Sequence, residues 1–122
     1  MKLAISGSRH NTKKFEEFSR NSLRTLLTNK KNEIEFIIIG GALGIDTIAK
    51  EIAEELDISV KIIRPEDPSK KQDYILRNFK IVDEADKVYV FWNGKSPGTK
   101  SVIDYAKRQH KKLVIIEDEQ NV

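Results

Sequence analysis

Apolar residues along the chain alternate between short unbroken runs and longer stretches with helical spacing. The runs predict buried strands at residues 2–6, 34–39, 59–63, 87–92 and 113–116. The stretches between them repeat apolar residues every three or four positions, as the first does at Phe15, Phe18, Leu23, Leu26 and Leu27. Short apolar strands that alternate with helices are typical of a parallel sheet covered by helices on both faces.

The order of these elements predicts an α/β fold of the doubly wound, Rossmann-like class. Right-handed crossovers place the five mostly parallel strands in the order 3-2-1-4-5. The carboxyl ends of all strands then lie at one edge, and strands one and four flank the point at which the winding direction reverses. We therefore expect one domain over residues 1–122 with a ligand crevice at that edge. Within it, the residues from 117 onward are expected to form a polar tail.

Capping residues mark the starts of two helices. Asn11 or Thr12 can cap the helix after the first strand. Ser69 and Gln72 have the spacing of a capping box and predict a helix that continues to about Asp83.

This third helix carries two partly apolar faces. The face suited to the sheet consists of Ile75, Phe79 and Val82. The adjoining face consists of Tyr74, Arg77, Asn78 and Ile81. Three roles remain open for that second face: contact with another subunit, contact with a ligand, or a wider buried stripe.

Composition and charge exclude several classes of site. The 22 Lys and Arg against 19 Asp and Glu give a net charge of +3, which is too balanced to indicate nucleic-acid binding by itself. There is no cysteine, and the two histidines lack ligand-like spacing, so neither a disulfide nor a zinc site is expected. No apolar run approaches the length of a membrane span. We expect a cytoplasmic protein without a metal or other cofactor.

Three loops with phosphate-binding composition follow strands one, two and four. They are Gly7-Ser8-Arg9, the glycine-rich turn at residues 40–46, and the loop at residues 92–99. Glycine lets a ligand approach backbone amides closely, and the first turn of the next helix offers unpaired N–H groups. Any one of these loops fits equally well a tight turn without a ligand. Their predicted convergence at the crevice favours an anion site.

The same blocks of sequence resemble the SLOG superfamily of Rossmann-like domains. This superfamily joins the DNA-processing Smf/DprA proteins to the Lonely Guy (LOG) phosphoribohydrolases. The matching blocks are residues 7–9, 40–46, 91–99 and 103–106, and Arg77-Asn78 resembles a pair on the family's intervening helix. The resemblance is strongest to the small stand-alone YspA-type members. It implies binding of a nucleotide or nucleotide-derived ligand, and a homodimer or higher oligomer formed through the third helix.

The resemblance to the hydrolases stops at one position. Lonely Guy enzymes carry a glutamate three residues after the threonine of their glycine motif, whereas the residue three past Thr99 is Val102. Valine can neither transfer a proton nor stabilise an oxocarbenium ion. Asp46 or Asp104 would have to replace the glutamate and act with Arg77, although Asp104 points away from Val102 on an ideal helix.

The sequence therefore predicts a binding module for a phosphorylated nucleotide-type ligand. The alternatives are a phosphoribohydrolase that acts on nucleoside monophosphates, with Arg77 and Asp46 as catalytic candidates, and a single-stranded DNA binder. The predicted ligand-binding residues are Gly7, Ser8, Arg9, Gly40, Gly41, Asp46, Arg77, Asn78, Trp92, Asn93, Gly94, Ser96, Gly98 and Thr99. Two of them have a structural alternative, since Asp46 can hold its turn and Trp92 can belong to the core.

Overall fold

The computed structural model describes residues 1–118, which form a five-stranded, all-parallel sheet in the order β3-β2-β1-β4-β5. This confirms the predicted fold class and strand order. The strands are β1 (Lys2–Gly7), β2 (Phe36–Ile39), β3 (Val60–Ile62), β4 (Lys87–Trp92) and β5 (Lys112–Glu117). The α-helices are α1 (Lys13–Lys30), α2 (Ile45–Glu55), α3 (Lys71–Glu84) and α4 (Pro97–Arg108).

Two apolar layers cover the faces of the sheet. Successive residues of a strand point to opposite faces, so Leu3 and Ile5 of β1 pack beneath α1 and α2, whereas Ala4 packs beneath α3 and α4. Leu23 and Ile52 complete the first layer, and Val82, Val88 and Ile103 complete the second. Within residues 1–118, no helix is both long and apolar enough to cross a bilayer.

Several element boundaries differ from the prediction. A 3₁₀ turn over Lys31–Glu33 delays the start of β2 to Phe36, because the amide of Ile34 donates to the carbonyl of Lys31. At the other end of the chain, β5 includes Glu117, which the sequence had placed in a polar tail. Residues 119–122 of that predicted tail lie outside the described residues.

The caps of the first and third helices have different outcomes. Thr12 caps α1, since its hydroxyl accepts a hydrogen bond from Phe15 N at 3.1 Å. The predicted capping box at the start of α3 is wrong. Ser69 is hydrogen-bonded to the carboxylate of Asp67, through both its amide and its hydroxyl, and α3 begins two residues later without a side-chain cap.

The orientation of α3 also differs from the prediction. Val82 is buried as expected, but Ile75 is 38% exposed, whereas Arg77 and Ile81 are only 7% and 3% exposed. The face with Tyr74, Arg77 and Ile81 therefore lies inside the domain, because the guanidinium finds a hydrogen-bond acceptor there, as described below. Part of this face lines the cleft described below, and its role in a contact between subunits stays a prediction.

Candidate functional site

A cleft of about 660 Å³ lies at the carboxyl edge of the sheet, where the loops after β1, β2 and β4 meet α3. Strands β1 and β4 are paired from Leu3 and Lys87 to Gly7 and Phe91, so their following loops start side by side. Ten of the predicted residues line the cleft: Gly7, Arg9, Gly40, Asp46, Arg77, Asn78, Asn93, Ser96, Gly98 and Thr99. The topology thus brings the three loops into one site.

Four predicted residues support the loops but do not line the cleft: Ser8, Gly41, Trp92 and Gly94. Ser8 is fully buried, and its hydroxyl accepts a hydrogen bond from Asn93 N at 2.9 Å. Trp92 packs against the core beneath α3 and α4, and its indole N–H donates to Ser96 O at 3.0 Å. The two glycines have φ angles of 74° and 82°, which glycine adopts without strain.

The sequence did not single out every residue that lines the cleft. The cleft is also lined by Ser6, His10, Ala42, Lys71, Tyr74, Ile81, Lys95 and Pro97. Lys71 was missed entirely, although Lys71, Tyr74 and Asn78 follow the i, i+3, i+7 spacing of a single helix face. Extending the Tyr74 face by one turn toward the amino terminus would have found it.

Arg77 is held in place from several directions. Its NH1 group donates to Gly40 O at 2.7 Å, and its Nε donates to Asn78 Oδ1 at 2.9 Å. Its guanidinium carbon lies 5.3 Å from the centroid of the Tyr74 ring, and that of Arg9 lies 5.7 Å from the same centroid. A β-carbon at Gly40 would approach NH1 of Arg77 to 2.7 Å, so a side chain at this position would displace the guanidinium.

Asp46 holds the glycine-rich turn and also faces the cleft. Its Oδ2 accepts hydrogen bonds from Gly40 N at 3.2 Å and Ala42 N at 3.1 Å. The residue is only 6% exposed, and burial raises the pKa of its carboxyl group to about 6, against the opposing effects of these hydrogen bonds and of Arg77. Burial likewise lowers the pKa of Arg77, while attraction to Asp46 opposes that shift.

The first turn of α4 forms another wall of the cleft. Ser96 caps this helix, and its Oγ accepts hydrogen bonds from Thr99 N at 3.4 Å and Thr99 Oγ1 at 3.1 Å. The preceding turn is ordered by Asn93, whose Oδ1 accepts from the amides of Lys95 and Ser96. There is open space beside Gly98, so its backbone can be approached closely.

The cleft concentrates positive charge. Its lining includes four cationic side chains, Arg9, Lys71, Arg77 and Lys95, against the single carboxylate of Asp46. The chain as a whole is nearly balanced, with 22 basic and 19 acidic residues. The described residues contain no group of three histidine, cysteine or acidic side chains arranged to hold a metal ion. The arrangement suits an anionic ligand.

Neither α4 residue considered for the hydrolase chemistry lines the cleft. Val102 is 1% exposed and belongs to the core beneath α3 and α4. Asp104 is exposed and pairs with Lys100 at 2.9 Å, one helical turn away. Asp46 is therefore the carboxylate that the described residues contribute to the cleft.

The fold and the converging loops define a Rossmann-like α/β protein with a cationic cleft at the carboxyl edge of its sheet. Solved structures share this fold. DNA processing protein A from Helicobacter pylori, described for its single-stranded DNA binding mode, is 23% identical with a TM-score of 0.77. The likeness covers 99% of this chain and 67% of that one.

Two further structures have the same fold. DNA processing protein A from Streptococcus pneumoniae is 19% identical with a TM-score of 0.78, over 93% of this chain and 49% of that one. The molybdenum cofactor carrier protein from Chlamydomonas reinhardtii is 15% identical with a TM-score of 0.70, over 98% of this chain and 78% of that one. No protein-family model and no curated protein sequence matches the chain, so the resemblance to YspA-type members stays a prediction.

Proposed function

We propose that this chain binds a nucleotide or nucleotide-derived phosphorylated ligand in the carboxyl-edge cleft and acts as a sensor or binding module. The observation that carries the proposal is the grouping of Arg9, Lys71, Arg77 and Lys95 around one cleft in a chain of nearly balanced charge. The cleft volume of about 660 Å³ lies in the range of small-molecule sites.

The phosphate is assigned to the space between the first turn of α4 and the two guanidinium groups. Backbone amides at the start of a helix favour an anion, and Gly98 and Thr99 contribute that part of the lining. Two nitrogens of Arg77 already donate to Gly40 and Asn78, which leaves the third for a phosphate oxygen. Arg9 is exposed and supplies a second cation at the rim.

The nucleoside is assigned to the side of the cleft formed by β2 and α3. Both backbone hydrogen bonds of Asp46 end on Oδ2, so Oδ1 is the atom that would accept a hydrogen bond from a ribose hydroxyl. Trp92, a predicted ligand-binding residue, packs against the core and does not line the cleft, whereas the ring of Tyr74 does. We therefore assign base stacking to Tyr74.

The experiment is a binding titration of the purified protein with a panel of nucleotides, preceded by mass spectrometry of any copurifying small molecule. Arg9→Ala should weaken binding about tenfold, because it removes a charged contact without removing a buried group. Arg108→Ala is the matched control, since Arg108 is exposed at the far end of α4 and does not line the cleft. Equal affinities for the two variants, or no binding by the wild type, would contradict the proposal.

One observation favours a second candidate function, hydrolysis of the N-glycosidic bond of a nucleoside monophosphate. Asp46 lines the cleft with a pKa of about 6, which suits a group that transfers a proton near neutral pH. Incubation with nucleoside monophosphates and chromatography for the free base tests this. Release of base that is lost in Asp46→Asn would establish an enzyme, whereas binding without release would leave the binding module.

Single-stranded DNA binding is a third candidate, and the fold shared with the Helicobacter protein favours it. Arg9, Lys71 and Lys95 are exposed at the cleft, where a strand of phosphates could reach them. A gel-shift titration at two salt concentrations tests this candidate. Salt-sensitive retention of an oligonucleotide that excess mononucleotide cannot displace would favour DNA over a free nucleotide.

A further inference from the structure

The positive charge of the cleft exceeds the charge of a single phosphate group. Four cationic side chains against the carboxylate of Asp46 leave three positive charges in the lining. A phosphate monoester carries about −1.5 to −2 charges at pH 7. One phosphate group would therefore leave part of this positive charge without a negative partner.

Ion pairs within the protein do not neutralise these cations. None of the ion pairs among residues 1–118 includes one of the four cations that line the cleft. Lys70 pairs with Asp67 at 3.9 Å, whereas the adjacent Lys71 does not. Burial lowers the pKa of Arg77, and the positive charge of Arg9 lowers it further. An anionic ligand in the cleft would relieve this repulsion.

The cations lie at two depths in the cleft. Arg77 and Thr99 line the cleft but are only 7% and 4% exposed, so they form its floor. Lys71 and Lys95 are exposed and line its mouth. On α3, Lys71 precedes Arg77 by six residues, which corresponds to about 9 Å along the helix axis. The lining therefore offers two separate positions for negative charge.

The start of α3 adds to the positive potential at the mouth. Lys71 is the first residue of this helix, which begins without a side-chain cap. The amino-terminal end of a helix carries a partial positive charge and amides that lack partners within the helix. Lys95 is held at the start of α4, since its amide donates to Asn93 Oδ1 at 2.8 Å. Two lysines and an uncapped helix start thus lie at the mouth.

We propose that the ligand of this cleft carries two linked phosphate groups, which makes it a nucleotide with a pyrophosphate unit. This inference rests on the proposed function and specifies its class of ligand. The inner phosphate takes the position assigned above, between α4 and the guanidinium groups of Arg9 and Arg77. The outer phosphate lies between Lys71 and Lys95, where each ammonium group acts as a point charge.

Binding titrations with matched nucleoside monophosphates and diphosphates test the inference. The wild type should bind the diphosphate about tenfold more tightly, because the outer phosphate adds charged contacts. Lys71→Ala combined with Lys95→Ala should weaken diphosphate binding about tenfold and monophosphate binding at most about threefold. Both side chains are exposed, so the double variant should keep the fold. EDTA in the buffer prevents metal ions from neutralising the phosphates.

A charge-matched control removes two lysines outside the cleft. Lys107 and Lys112 are exposed and do not line the cleft. Lys107→Ala combined with Lys112→Ala should keep the wild-type preference for the diphosphate. Inorganic phosphate and pyrophosphate repeat the comparison without a base and should give the same pattern.

The possible results separate this inference from the proposed function. Equal affinities of the wild type for monophosphates and diphosphates would overturn the inference and leave the proposed function in place. A preference for the diphosphate that is unchanged by removal of Lys71 and Lys95, or that is lost equally in the control, would do the same. A wild type that binds no nucleotide would contradict the proposed function and this inference together.

Discussion

The two sides of the carboxyl-edge cleft are built from different chemistry. On the side of β1 and β4, neutral hydrogen bonds join the loops, such as those from Asn93 N to Ser8 Oγ and from Asn93 Nδ2 to the carbonyl of His10. On the side of β2 and α3, a nearly buried carboxylate and a nearly buried guanidinium face the same cleft, in Asp46 and Arg77. The hydrogen bonds on the first side fix the conformation of the loops. The second side holds two charged groups in positions where burial disfavours their charged forms.

This difference indicates which side of the cleft lowers the stability of the folded protein. Neutral groups that find partners on folding stabilise the chain modestly, whereas a charged group in a buried position is destabilising unless its partners compensate. Asp46 is not fully compensated, since burial outweighs its hydrogen bonds and raises its pKa to about 6. Natural proteins usually keep such costs at positions that serve function.

The largest effect is expected where the two sides touch, at Gly44. A β-carbon there would lie 2.6 Å from the carbonyl oxygen of Ser8 and 2.9 Å from that of Arg9, at a φ of 84°. Gly44→Ala should therefore lower the free energy of unfolding by about 2–4 kcal/mol, because backbone atoms cannot move aside cheaply. Urea denaturation measures this loss.

Gly98→Ala is the control for the substitution at Gly44. A β-carbon at Gly98 meets nothing within 4 Å, and the residue lies in the first turn of α4. Its free energy of unfolding should stay within about 0.5 kcal/mol of wild type or rise slightly. Equal losses in the two variants would show that the junction between the loops is not the constrained point.

The next effect is the pH dependence that Asp46 confers on stability. The carboxyl pKa is about 6 in the folded chain against an ordinary 3.8. The carboxyl group therefore binds its proton more tightly in the folded state than in the unfolded state. Protonation of Asp46 stabilises the fold fully below about pH 4, and this stabilisation is lost as the pH rises through 6. The difference amounts to about 3 kcal/mol.

Asp46→Asn tests this sign. Asparagine keeps an oxygen for the amides of Gly40 and Ala42 but does not titrate, so the variant should be more stable than wild type above about pH 7. The wild-type loss of stability between about pH 4 and pH 7 should also be reduced. Thermal denaturation across this range measures both. Asp104→Asn, outside the cleft, should keep the wild-type profile, and an unchanged profile in Asp46→Asn would refute the account.

The convergence of the loops could be predicted from the sequence, but the direction of several side chains could not. Apolar runs are local signals, and together with the crossover rules they predict that residues 7–9, 40–46 and 92–99 lie at one edge. Ser8 turns inward because of an amide 85 positions away, which no local pattern reveals. Arg77 is buried because Gly40 offers a carbonyl, so apolar spacing alone could not predict that Arg77 and Ile81 turn inward while Ile75 stays exposed.

The smallest expected effects are those of substitutions at two buried serines. A comparison of the two separates the contribution of a hydrogen bond to stability from that of burial alone. Ser8 Oγ accepts from Asn93 N, whereas the equally buried Ser19 Oγ finds no partner among the described residues. Ser8→Ala should lower the free energy of unfolding by about 1–2 kcal/mol, because an amide loses its acceptor. Ser19→Ala should raise it by up to about 1 kcal/mol, since an unsatisfied hydroxyl is removed from a helix.

Both changes in stability should be independent of pH, unlike the change at Asp46, because neither serine titrates. Urea denaturation at two pH values measures them, and equal losses in the two variants would mean that the hydrogen bond to Asn93 does not stabilise the neutral side of the cleft.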